Sequence, residues 1–60
     1  MKNYKGFNIC FYQIKGNGYF ADGYNDEGSV IYGFGATEEE SFQDLKGNVD
    51  EYIEMYGGYV

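Results

Sequence analysis

The side chains that could do chemistry in this chain are carboxylates, tyrosines and a single cysteine, and no histidine accompanies them. General acid–base catalysis needs a group whose pKa is tuned by its surroundings. The densest carboxylate cluster is Glu38, Glu39 and Glu40, which stands where a helix is expected to begin. Acidic residues at that end are accounted for by the helix dipole. We therefore expect no catalytic residue and no enzymatic activity.

A reactive thiol or a metal site would need partners that the sequence does not supply. Cys10 has no histidine to activate it, so a packed structural thiol is the expected state. The same absence argues against a Cys/His zinc cluster. Residues 22–27 are rich in oxygen ligands but lack the alternate spacing of an EF-hand loop, so an ordinary turn is expected. We expect no metal and no cofactor.

The charge balance narrows the class of partner. Ten carboxylates oppose four lysines and no arginine, which gives a net charge of −6. A nucleic-acid binder needs cations to displace phosphate counterions, so direct DNA or RNA binding is not expected. An acidic surface favours a basic protein and can speed encounter with it. The alternative is that the carboxylates serve only solubility.

The elements that must position these groups begin with strands. Alternating aromatic and β-branched residues predict strands at about 4–14, 19–24 and 29–34. Asn17-Gly18 between two such runs is a strong signal for a two-residue hairpin turn. The cluster at 25–28 predicts a second turn. Together these features predict a three-stranded antiparallel meander.

A helix follows the strands. Thr37 and Glu40 fit a capping box, in which each side chain binds a backbone amide near the other residue. An apolar stripe at spacings of three and four then comprises Phe42, Leu45, Val49, Tyr52, Ile53 and Tyr56. Gly57-Gly58 should end the helix, and Gly47 within it should allow close approach to the sheet. Tyr59 and Val60 could add a short fourth strand.

The predicted fold is therefore α+β, in the order β-β-β-α, with the helix packed on one sheet face. The first strand is apolar on both faces, so the uncovered side should be an exposed patch of the kind that marks an interaction site. The alternation of side chains alone does not show which face the helix covers. A two-residue turn would place Ala21 and Gly23 opposite Ile14 and Tyr12, which favours the Cys10, Tyr12 and Ile14 face as the covered one.

Sixty residues allow one domain, 1–60, whose core is marginal because so small a chain buries only about 60% of its unfolded surface. A lone cysteine cannot form an internal disulfide, so a homodimer is the expected support. The single thiol, the lack of a signal peptide and apolar runs too short to span a membrane predict a cytoplasmic protein.

Residues 35–53, GATEEESFQDLKGNVDEYI, resemble the signature G-x-T-x-E-E-A-x-x-N-x-x-x-A-I of the HicB antitoxin family. The matching positions are Gly35, Thr37, Glu39, Glu40, Leu45 and Val49. Residues 18–21, GYFA, are similar to the family's G-x-x-A stretch on the second strand. Ser41 and Asp44 depart from the usual alanine and asparagine, and the family's P-D-L-P-G turn is replaced by YNDEG.

The resemblance spans about residues 4–54 and implies a partial double-stranded-RNA-binding-domain fold. It further implies a toxin-binding half that blocks a HicA ribonuclease by protein contact, without the family's DNA-binding module. The alternative hypothesis is a phage-encoded inhibitor of a host defence nuclease, including anti-CRISPR action, placed in the host cytoplasm. Contacts are expected from the exposed sheet face, a free strand edge and acidic segments. The candidate partner-binding residues are Phe11, Tyr24, Asp26, Glu27, Tyr32, Glu38 and Glu39.

Overall fold

The structure is a computed structural model that describes residues 2–56. Four antiparallel strands in the spatial order β1-β2-β3-β4 form one sheet, and a single helix follows them in this part of the chain. The elements are β1 (Lys2–Tyr4), β2 (Phe7–Gln13), β3 (Tyr19–Tyr24), β4 (Val30–Gly35) and α1 (Glu38–Tyr56). The predicted α+β class, a meander followed by a helix, is confirmed.

The strand that was not predicted lies at the N-terminal side. Lys5 and Gly6 both have positive φ, 51° and 89°, which a two-residue hairpin turn of type I′ requires. Tyr4 therefore pairs with Phe7, and the single strand predicted over 4–14 is broken into β1 and β2. The fourth strand suggested for Tyr59 and Val60 lies outside the described residues.

The loop between β2 and β3 is longer than the predicted two-residue turn. Gln13 pairs with Tyr19, so five residues, 14–18, lie between the strands. Within them the Ile14 carbonyl accepts the Asn17 amide at 2.9 Å, and Gly16 and Gly18 have positive φ angles of 75° and 96°. The predicted two-residue turn would pair odd-numbered residues of β3 with even-numbered residues of β2. The five-residue loop instead pairs odd-numbered residues with odd-numbered ones, as for Ala21 and Phe11.

This register decides which face the helix covers. Ala21 and Gly23 pair with Phe11 and Ile9, not with Ile14 and Tyr12. The helix covers that side, and the preference for the Cys10, Tyr12 and Ile14 face is wrong. The buried apolar core consists of Phe7, Ile9, Ala21, Leu45 and Val49.

Small residues do face the helix: Ala21 and Gly23 lie on the covered side as predicted, but the closest approach is at two glycines of β4. A Cβ atom on Gly33 would lie 2.5 Å from the Leu45 amide nitrogen, and one on Gly35 would collide with the Ser41 backbone. Gly47 has no such role, because a Cβ atom there would meet nothing within 4 Å. The prediction that Gly47 permits close approach is therefore wrong, and the strand glycines provide it.

The helix start behaves as its sequence predicts. Thr37 Oγ1 accepts the Glu40 amide at 3.1 Å, while Glu40 Oε1 reaches back to the Ala36 amide at 3.0 Å. The return bond thus falls one residue before Thr37. Of the predicted stripe, Leu45 and Val49 are buried, and Phe42, Tyr52 and Ile53 pack half-buried against the core. Tyr56 is 69% exposed and does not join it.

We expect Gly47→Ala to stabilise the protein. The site is an exposed helix interior with free space around it. Alanine should raise the free energy of unfolding by about 1 kcal/mol, which in so small a domain corresponds to a Tm increase of about 4–8 °C. Thermal unfolding followed by circular dichroism measures the shift.

Gly33→Ala is the matched control, since it adds the same methyl group where the Leu45 backbone leaves no room. It should lower Tm. If Gly33→Ala proved as stabilising as Gly47→Ala, the close packing of the helix on β4 would be contradicted.

Candidate functional site: the sheet face opposite the helix

The side of the sheet that the helix leaves uncovered, named here the open face, is built from β2, β3 and β4. Residues paired across antiparallel strands share a face, so the register fixes its members. Its three cross-strand rows are Tyr12, Phe20 and Phe34; Cys10, Asp22 and Tyr32; and Asn8, Tyr24 and Val30. Five of these nine side chains are aromatic, which sets this face apart from an ordinary solvated sheet surface.

Phe20 is the centre of an aromatic cluster on the open face. Its ring centroid lies 6.0 Å from that of Tyr12, 5.2 Å from Tyr32 and 5.1 Å from Phe34. The three outer rings are 50%, 51% and 59% exposed, in that order. Isolated apolar residues on a surface need no explanation, but a contiguous patch of rings is typical of an interaction site.

The middle row of the open face, next to this cluster, carries polar side chains. Asp22 is half-buried and lies between Cys10 of β2 and Tyr32 of β4. The pKa of the Tyr12 phenol is raised above its ordinary value, first by the neighbouring Cys10 thiol, then by partial burial and by the negative charge of Asp22. Tyr12 and Asp22 are diagonal neighbours on β2 and β3, so their side chains share this part of the open face.

Three of the four lysine side chains lie on the helix side of the sheet, and the fourth, Lys15, is exposed in the loop between β2 and β3. Lys2 and Lys46 place their Nζ atoms 5.3 and 4.6 Å from the centroid of the Phe42 ring, beside the helix. Lys5 Nζ binds Asp50 Oδ1 at 2.8 Å on the same side. The nine residues of the open face include one charged side chain, Asp22, so the face is apolar with a negative centre.

The edges of the sheet are less available than the sequence suggested. Asp44 Oδ2 accepts the Phe34 amide at 3.0 Å, and Asn48 Nδ2 donates to the Tyr32 carbonyl at 2.7 Å. Helix side chains thus occupy outward backbone groups of β4 that an added strand would need. β1, at the other edge, is three residues long. The expected free strand edge is therefore largely closed at β4, and the open face remains the main accessible surface.

The structure brings some of the predicted partner-binding residues together and separates others. Tyr24 and Tyr32 are on the open face, 41% and 51% exposed. Phe11 is on the helix side, where its ring packs edge-on against Phe42 at 5.9 Å, so its predicted place on an uncovered face is wrong. The five-residue loop is the reason, because it reverses the parity between β2 and β3.

The acidic candidates lie at opposite ends of β4. Asp26 and Glu27 are exposed in the loop before it, and Glu38 and Glu39 are exposed at the helix start after it. Phe20 and Phe34 belong to the site but were not predicted from the sequence. The parity of Phe20 with Tyr24, and of Tyr32 with Phe34, was the signal that could have identified them.

The turn predicted at 25–28 is confirmed, and a side-chain oxygen within it accepts hydrogen bonds from its own backbone. Asn25 Oδ1 accepts the amides of Glu27 and Ser29 at 3.1 and 2.9 Å.

An open cleft of about 220 Å³ lies beside this turn, lined by Lys5, Gly6, Phe7, Asn25, Asp26, Glu27, Tyr52 and Ile53. Among residues 2–56, no three histidine, cysteine or acidic side chains converge as a metal site. The same residues contain no helix long and apolar enough to cross a membrane.

Asp50 is the one carboxyl in the described part of the chain that has an ion-pair partner. The hydrogen bond from Lys5 lowers the pKa of Asp50, and a second one from the Tyr4 hydroxyl, at 2.8 Å, lowers it further. The same bond raises the pKa of Lys5. These groups are exposed and tie β1 and its turn to the helix.

We expect Asp50→Asn to lower Tm slightly at neutral pH and to match the unchanged protein in acid. The folded pKa of Asp50 lies below its unfolded value of about 3.9. Its stabilisation is therefore complete above that value and is lost as pH falls through the folded pKa. Thermal unfolding of both proteins from pH 7 to about pH 2 measures the difference.

High salt provides the control for this pH series. Because the pair is exposed, about 1 M NaCl should shrink the Tm difference at pH 7. A difference that widened as pH fell would contradict this role of Asp50.

Comparisons with models of known protein families, with curated proteins and with solved structures find no match to this chain.

Proposed function

We propose that this chain is a protein-binding module, not an enzyme, and that its open face docks on a basic protein. The observation that carries the proposal is the uncovered aromatic cluster around Phe20, with Phe34 59% exposed at its edge. Half-exposed rings supply large contact area at low cost in side-chain entropy, and aromatic residues are enriched in interface cores. The partner would cover the face that one helix cannot.

Charge supports a basic partner. The chain has a net charge of −6, and the open face carries Asp22 but no lysine. The exposed pairs Asp26-Glu27 and Glu38-Glu39 extend the negative field to both ends of β4. A cationic protein would be attracted to this side and held in one orientation by the complementary charges, whereas a nucleic-acid backbone would be repelled.

The resemblance to HicB antitoxins suggests the kind of partner. We propose a HicA-like ribonuclease, bound and occluded by protein contact in the cytoplasm, as the first candidate. The second candidate is a host defence nuclease inhibited by a phage-encoded protein, including an anti-CRISPR. Acidic segments at both ends of the sheet favour this alternative, because negative charge suits the channel of an enzyme that binds nucleic acid.

A homodimer would compete for the same surface. Two copies joined through their open faces would bury the aromatic clusters but would bring two chains of charge −6 together. We propose self-association as support for the marginal core, with the partner displacing the second copy from the open face.

We expect Phe34→Ser to weaken capture of a basic partner at least about tenfold, a loss of about 1.4 kcal/mol. Phe34 lies at the exposed edge of the cluster, so the change removes contact area while leaving the core intact. The assay uses the immobilised protein with a purified HicA-like ribonuclease, and then with extract of the source cell. Dissociation constants are measured for each basic protein recovered.

Met55→Ser is the matched control. Met55 is 68% exposed on the helix and lies away from the open face, so it removes a similar apolar surface elsewhere. Capture that survived Phe34→Ser but failed with Met55→Ser would place the contact on the helix and sink the proposal.

A further inference from the structure

We propose that Asp22 and the aromatic side chains around it form a seat for one arginine side chain of the partner. The inference rests on the proposed function and specifies how the open face recognises a basic protein. It assigns the centre of the interface, a specific chemistry of recognition and the residue type that the partner must supply.

The seat is defined by positions in the sheet. Asp22 lies in β3, with Cys10 and Tyr32 directly opposite on the neighbouring strands. Phe20 and Tyr24 stand two residues to either side of it on the same face of the same strand. Residues two apart on one strand lie about 7 Å apart on the same face, a spacing that large aromatic side chains can bridge. Rings therefore flank the Asp22 carboxylate along its own strand and across to β4.

The carboxylate has no cation of its own in the described part of the chain. The ion pair found among residues 2–56 joins Lys5 to Asp50 on the helix side. Lys2 and Lys46 are drawn to the Phe42 ring on that same side. Asp22 is half-buried on a largely aromatic face, where a covering surface without a positive charge would strip water from the carboxylate and be disfavoured.

Arginine fits this arrangement better than lysine. Its planar guanidinium can donate two parallel hydrogen bonds to a carboxylate and stack on a tyrosine or phenylalanine ring at the same time. An ammonium group offers a compact charge without a flat surface. With Tyr32 and Tyr24 standing about half exposed beside Asp22, both interactions are available to one side chain.

A second copy of this chain does not fit the seat. The sequence contains no arginine, so a homodimer cannot supply the guanidinium. A symmetric face-to-face dimer centred on the seat would bring two Asp22 carboxylates together, where like charges repel, so a second copy on the open face is readily displaced by a partner that carries an arginine. The seat therefore selects a different protein.

The test is an NMR titration of the full chain with N-acetyl-arginine methylamide, compared with the corresponding lysine and citrulline derivatives. Citrulline keeps the planar shape of arginine and removes its charge. We expect saturable shifts centred on Asp22, Tyr24 and Tyr32, with arginine binding at least about tenfold more tightly than lysine or citrulline. Equal affinities for arginine and lysine would overturn the assignment.

The decisive variant is Asp22→Asn, which keeps shape and removes the charge. It should weaken arginine binding about tenfold or more, while the loop control Asp26→Asn should leave it unchanged. Tyr24→Leu gives a second measurement should Asp22→Asn fail to fold, and it too should weaken binding because a stacking surface is lost. Unchanged binding in folded Asp22→Asn, or in folded Tyr24→Leu where the first variant fails to fold, would refute the seat.

The same variants separate this inference from the proposed function. If Phe34→Ser abolishes capture of a basic protein but Asp22→Asn captures it equally well, the open face is an interface and the arginine seat is wrong. If arginine binds as expected but no basic protein is captured through the open face, the seat stands and the proposed function fails.

Discussion

The backbone of the helix approaches β4 so closely that positions 33 and 35 have no room for a Cβ atom. This contact fixes the helix over β3 and β4, with Ser41, Leu45 and Val49 buried beneath it. One helix placed so closely over one side of a four-stranded sheet leaves the other side without cover. The described part of the chain has one amphipathic helix but two apolar sheet faces. Because the helix covers only one of them, the rings of the open face remain exposed.

Side-chain hydrogen bonds to nearby backbone groups were predictable from the sequence, whereas the length of the loop between β2 and β3, which sets the strand register, was not. The capping box at Thr37 and the turn at Asn25 depend on neighbouring residues, and both form as expected. The side of the sheet that the helix covers depends instead on the number of loop residues between β2 and β3. Glycines at 16 and 18 allow several loop lengths, and a change from two to five residues reverses every cross-strand partner.

The candidate site was likewise predicted in part: the existence of an uncovered face was foreseen, but not all of its residues were. That a second apolar face would remain uncovered follows from counting surfaces, and Tyr24 and Tyr32 are on it. Phe11 is not, because its face was assigned through the wrong turn. The positive φ at Lys5, which breaks the first strand, had no strong sequence signal, since lysine rarely adopts that conformation. The pairing of β1 with β2, in which Tyr4 lies opposite Phe7, outweighs the preference of Lys5 there.

Asp44 and Asn48, which bind the outward backbone groups of β4, have a consequence for assembly. A sheet with an exposed aromatic face and an unpaired strand edge could add strands from further molecules and grow into a fibril. By binding outward groups of β4, two helix side chains hinder strand addition at that edge and favour docking on the open face over growth from β4. Such docking is finite, because a surface once covered cannot recruit another layer.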